Sequence, residues 1–176
     1  QKGSIGRIRL AFFLNLAFTI FEIIGGLWTN SLAILSDAIH DLGDSLALGF
    51  AWYFEGKSHQ KKSATFSYGY RRLSTMSALI TGCVLVVGAV IIIAKAIPRI
   101  IEPQQPQVEG MIVMAIVGVV VNGWAAFGVS KGGSLNEKMI TWHLLEDLMG
   151  WVLVLVGAIA MWIWNLPVVD AVLAVF

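Results

Sequence analysis

From Leu73 to Ala94 the chain reads LSTMSALITGCVLVVGAVIIIA, without one charged residue. A helix of that length, at about 1.5 Å per residue, crosses the roughly 30 Å hydrocarbon core of a bilayer. A second run, from Gly110 to Ser130, is equally free of charge until Lys131 closes it. Helices apolar on every side need lipid or a large protein around them. The rest of the chain offers no such protein. Charged residues make up 13% of it, against about 25% in soluble domains. In lipid every backbone N–H and C=O must be satisfied within its own segment, which favours helices. The fold class that follows is an all-α integral membrane protein.

Apolar windows of about 20 residues place helices at 8–28, 32–54, 74–97, 110–130, 137–164 and from 167 onward. Thr29-Asn30-Ser31 breaks the first pair, with Ser31 suited to cap the second helix. Asn165-Leu166-Pro167 separates the last two, and Pro167 suits the first turn of a helix. The sixth stretch reaches only Phe176, so a six-transmembrane-helix bundle is expected with its sixth helix truncated. The first apolar segment is expected to be a retained span rather than a cleaved leader. Lys2, Arg7, Arg9, Lys57, Lys61, Lys62, Arg71, Arg72, Lys131 and Lys138 fall on one side of this arrangement, and only Lys95 and Arg99 on the other. The positive-inside rule then puts both termini in the cytoplasm of a multi-pass protein. Because the basic residues sit in short loops, the net charge of +1 gives no reason to expect a nucleic-acid partner. The single Cys83 excludes a disulfide framework and a cysteine-based metal cluster.

Against this background one stretch stands out. The sequence SDAIHDLGDS places Asp37, His40, Asp41 and Asp44 within the second span. A charged side chain at the bilayer centre costs about 3 kcal/mol on insertion scales. Such a group is tolerated where it faces a wet or ion-filled interior. Residues four apart share a helix face, so His40 and Asp44 project together. In the fifth span TWHLLEDLMG repeats the spacing with His143 and Asp147. Brought face to face, two imidazoles and two carboxylates make a four-ligand tetrahedral site suited to zinc. A lone membrane His commonly serves a helix–helix hydrogen bond, and a lone Asp commonly lies among headgroups. Two matching pairs that use two of only three histidines favour the metal reading.

The remaining polar residues are supporting candidates. Asn15 and Glu22 share a face of the first helix and Asn122 interrupts the fourth. Interhelical hydrogen bonds and support of the metal ligands are expected of them rather than ligation. Asp37 and Asp41 are expected behind the ligands or at the mouth of the site. Glu146 is expected to point elsewhere, and His59, in GKSHQKKS, reads as a solvated loop residue. The glycines at 82, 88, 118, 123, 128 and 157 are expected to let helices pack closely, since no phosphate-binding loop pattern is present.

NLAFTIFEIIGGLWTNSLAILSDAIHDLGDSLALG resembles the first two helices of the cation diffusion facilitator family of zinc transporters. FSYGYRRLSTMSALI is similar to that family's entry into helix 3, and HLLEDLMGWVLVLVGAIAMWIW to its helix 5. PVVDAVLAVF, with Asp170, resembles the opening of helix 6. The resemblance implies that His40, Asp44, His143 and Asp147 are the transport site, in the form associated with zinc and cadmium rather than manganese. It also implies a homodimer in the lipid bilayer that exchanges a divalent cation, Zn2+ with Cd2+ as a further substrate, for protons as counter-ion. Residues 1–176 are expected to form one transmembrane domain, without the cytoplasmic metal-binding domain that the family usually carries after helix 6. The loop KGGSLNE lacks the His-rich tract of many animal members, and the loop after helix 2 lacks the ligands of a second zinc site.

The expected function is therefore export of a divalent metal rather than enzymatic work. The rival reading is an intramembrane zinc-dependent hydrolase. It needs three protein ligands and an open position for water, whereas four ligands are at hand, and any separate base would have to be Asp37, Asp41 or Glu146.

Overall fold

The computed structural model describes residues 2–58, 71–129 and 135–175, and among these it contains helices and no strand. In chain order they are α1 (Lys2–Thr29), α2 (Leu32–Ser58), α3 (Arg71–Ile101), α4 (Val108–Val129), α5 (Leu135–Trp164) and α6 (Val168–Leu173). Among the described residues, four segments are long and apolar enough to cross a membrane: Arg9–Thr29, Ala78–Ile101, Val108–Phe127 and Thr141–Trp164. α2 has the length, 27 residues, but Asp37, Asp41 and Asp44 take it out of that group. α6 covers six residues.

The α1–α2 turn shows why the chain reverses at Thr29-Asn30-Ser31. Asn30 adopts the left-handed conformation, with φ 54°, which Asn tolerates better than most side chains. Its N–H donates to the Leu27 carbonyl at 3.4 Å and the Ser31 N–H to the Gly26 carbonyl at 3.0 Å, the pattern that closes a helix C-terminus. Ser31 then caps α2, its Oγ accepting the Ile34 N–H at 3.2 Å. α3 runs past its expected end at 97, through Pro98 to Ile101. Proline removes one helix donor, but so near the end of a helix little depends on it, and the Pro98 carbonyl accepts the Glu102 N–H at 2.8 Å.

The described residues fall into two compact units. The first takes in α1 through Phe21, α2 from Ala38 and α3 as far as Ile91. There Phe12, Phe13 and Trp52 stack with ring centroids 5.1 to 5.8 Å apart. Gly43 lies against Leu85 and Gly88 against Ile39, which joins α2 to α3. The second unit holds Glu22–Asp37 and the chain from Ile92. Its core is built on α4 and α5, where Met111, Ala115, Trp151 and Ala158 are fully buried. Gly118 makes this possible: a Cβ there would overlap the Trp151 indole. Gly157 plays the same part against Leu173 of α6, whereas Gly82 meets nothing within 4 Å and serves no packing role. Large apolar side chains such as Val86, Val90, Trp124 and Phe127 remain exposed on the protein, as surfaces meant for lipid do.

Candidate metal centre

Helical spacing alone brings each His to its Asp. On α2, His40 Nε2 lies 3.8 Å from Asp44 Oδ2, with the two side chains 51% and 32% exposed. On α5, His143 Nε2 lies 3.7 Å from Asp147 Oδ2, with exposures of 41% and 15%. Two ligand atoms about 2.1 Å from one tetrahedral zinc stand about 3.4 Å from each other. Both pairs lie within a few tenths of an ångström of that spacing, so a small rotamer adjustment suits either to a common ion. Within each unit the described residues hold one such pair and no cluster of three or more His, Cys, Asp or Glu side chains that could hold a metal.

The α2 pair is braced from α1. Asn15 Nδ2 donates to the Asp41 carbonyl at 3.1 Å and to Ser45 Oγ at 3.0 Å. Thr19 Oγ1 donates to the Asn15 carbonyl at 2.9 Å and lies 3.4 Å from Ser45 Oγ. Thr19, Asp41 and Ser45 are buried and Asn15 half-buried, so the turn that carries His40 and Asp44 is held by a largely buried polar network. Asp41 thus meets Asn15 through its backbone.

In the second unit Asp37 reaches α5: its Oδ1 is 3.7 Å from where a Cβ on Gly150 would stand. Gly150 is three residues, almost one turn, beyond Asp147, so a carboxylate of α2 borders the α5 pair. Glu146 is exposed and Asp147 half-buried, as expected of neighbours on different faces. Glu22 is fully buried in this unit. Asn122 departs from expectation. It is buried, but its Nδ2 donates to the Gly118 carbonyl of its own helix at 3.1 Å rather than across to another. The carbonyl four residues back is always within reach of a short polar side chain. His59 lies outside the described residues.

Thr19, Ser45 and Arg99 were not among the supporting residues expected from the sequence. Polar residues four apart in otherwise apolar helices, Asn15 with Thr19 and Asp41 with Ser45, were the available signal for the first two. Arg99 counted only toward topology, yet its guanidinium contacts both Asn30 and Asp170.

The family model for the cation efflux transmembrane domain matches residues 8–176. The chain belongs to this family. As a cation efflux domain it is a multi-pass membrane protein, in keeping with the four apolar spans. It is 33% identical over 99% of its length to a cadmium, cobalt and zinc/H(+)-K(+) antiporter of Bacillus subtilis, covering 59% of that protein. It is 32% identical over 99% of its length to the zinc transporter ZitB of Pectobacterium atrosepticum, covering 56%. The metal cation efflux system protein CzcD of Cupriavidus metallidurans matches at 32% over 98% of the chain and 55% of that protein. The cation efflux domain thus spans little more than half the length of these relatives.

Proposed function

We propose that this cation efflux domain carries zinc, and cadmium with it, out of the cytoplasm in exchange for protons. The observation that carries the reading is the repeated His–Asp pair on two helices, each with its nitrogen and oxygen near the spacing of two ligands on one tetrahedral ion. In the proposed site His40 and Asp44 of α2 and His143 and Asp147 of α5 act together on one cation. The relatives' names, which speak of cadmium, cobalt and zinc antiport and of zinc transport, support this substrate class. They give the hydrolase reading no support.

Imidazole binds metal in its neutral form and carboxylate in its ionised form, so metal entry releases protons and reprotonation expels the metal. Imidazole is the side chain whose reference pKa, near 6.5, suits this exchange at cellular pH. Access alternates as α2 and α5 move together against the other helices, in the manner of transporters with a mid-membrane site. Asn15 of α1 and Ser45 of α2 hold the α2 ligands in register while these two helices are packed together. In the proposed architecture α6 opens a sixth span, both termini face the cytoplasm, and two copies form a homodimer.

Proton-driven zinc uptake into inside-out vesicles tests the proposal. Vesicles with the Asp44→Ala protein are expected to lose uptake, and unchanged uptake would remove Asp44, and with it the shared site, from the transport path.

A further inference from the structure

In the second unit the α1–α2 turn, the end of α3 and the start of α6 meet in one polar knot. Asp170, the third residue of α6, is 2% exposed. Its Oδ1 accepts the Ser31 hydroxyl at 2.6 Å and the Ala33 N–H at 3.2 Å, and its Oδ2 accepts the Leu32 N–H at 2.8 Å. Arg99 Nη1 lies 3.9 Å from the same Oδ2. Arg99 also donates to the Asn30 carbonyl at 2.8 Å and to Asn30 Oδ1 at 2.7 Å.

Leu32 and Ala33 are the first residues of α2, and the opening N–H groups of a helix have no partner inside it. Ser31 caps the Ile34 N–H from within the chain. The other two donors are taken by a carboxylate from α6, 139 residues after Ser31. A carboxylate at a helix N-terminus is further favoured by the helix dipole. Arg99 offsets a charge that would be costly to bury alone. A local cap would be enough to start α2. A cap lent by another helix also fixes where α2 starts and how it is rotated about its axis.

We propose that Asp170 is a positioning residue for metal binding, setting the rotation of α2 and so the aim of His40 and Asp44, which begin eight residues beyond Leu32 on the same helix. This rests on the assignment of His40 and Asp44 as ligands. In this proposal Asp170 is not itself a ligand of the metal. A helix transmits rotation because its backbone bonds hold each turn to the next.

Asparagine at 170 keeps the shape but turns an NH2 group toward the Leu32 N–H and Arg99, both donors. The test is calorimetric zinc and cadmium titration of the detergent-purified full chain, on monodisperse protein, with His40→Ala in parallel. Asp170→Asn is expected to bind zinc about tenfold more weakly, the scale of one charge-assisted hydrogen bond lost, with a changed zinc-to-cadmium ratio. Wild-type affinity and ratio in the folded variant would overturn the proposal, because a merely structural contact alters yield and not the site. A loss as complete as that of His40→Ala would overturn it in favour of direct ligation by Asp170. If His40→Ala itself binds normally, the ligand assignment is what has failed. Where Asp170→Asn gives no monodisperse protein, Ser31→Ala takes its place. It removes the 2.6 Å bond while Asp170 and Arg99 remain, and about threefold weaker binding is expected. Unchanged binding would overturn the proposal.

Discussion

The His40–Asp44 and His143–Asp147 pairs share a spacing to within 0.1 Å, 3.8 against 3.7 Å, yet they are supported by different means. The α2 pair is held by hydrogen bonds, through Asn15, Thr19 and Ser45. The α5 pair sits one to two turns before Trp151, which is fully buried in the notch opened by Gly118. The Asn15–Ser45 bracing is directional and polar, and the Gly118–Trp151 bracing a matter of shape. The i to i+4 spacing therefore defines the ligand pair, while the means of bracing is left to whatever each neighbouring helix supplies.

If the two pairs form one site, removing either imidazole has the same large effect. His40→Ala and His143→Ala are each expected to weaken zinc binding by about a hundredfold or more, two steps of roughly 1.4 kcal/mol each. Isothermal calorimetry of the two variants checks this. Binding kept in His143→Ala and lost in His40→Ala would mean that α2 holds a site of its own.

Acid should next affect both pairs together. A proton competes with the metal for each imidazole, so affinity falls as pH falls and rises as it rises. With two imidazoles in one site, apparent zinc affinity is expected to fall as pH drops from 7.5 to 5.5, by more than about tenfold per pH unit once both imidazoles are mostly protonated. Zinc titrations at four pH values measure the slope. A flat profile would remove the imidazoles from the site, and a slope of one proton would leave only one of them in it.

The smallest effects separate the two kinds of support. Asn15→Ala removes two hydrogen bonds, at about 1 kcal/mol each, and is expected to reduce zinc affinity roughly tenfold alongside a fall in melting temperature. Gly118→Ala forces a methyl group into the Trp151 ring, at a typical overpacking cost of 1–3 kcal/mol. It is expected to lower the melting temperature first. Parallel thermal melts and zinc titrations distinguish them, and the opposite pattern would reverse the roles assigned to the two supports.

Much of this was legible in the residues themselves. Uncharged runs fixed α3 and α4 to within a few residues, and Asn30 and Ser31 marked the turn before α2. The His-x-x-x-Asp repeat pointed to both pairs, because helix periodicity is a local property. Contacts between elements distant in sequence were not legible. Nothing local tells that Asp170 accepts from Leu32 and Ala33, or that Arg99 reaches Asn30. Nor did the pattern show that Asn122 would bond its own helix at Gly118. The apolar window ended at 97, but α3 continues through Pro98, since a proline close to a helix end costs too little to stop it.

Zinc K-edge absorption spectroscopy of the zinc-loaded, detergent-purified chain counts the ligands directly. A single four-coordinate zinc per chain is expected, with two imidazole nitrogens and two carboxylate oxygens at about 2.0–2.2 Å, and one imidazole signal lost in either His40→Ala or His143→Ala. Zinc bound by a single imidazole, or two zinc ions per chain with one imidazole each, would contradict a site shared by α2 and α5.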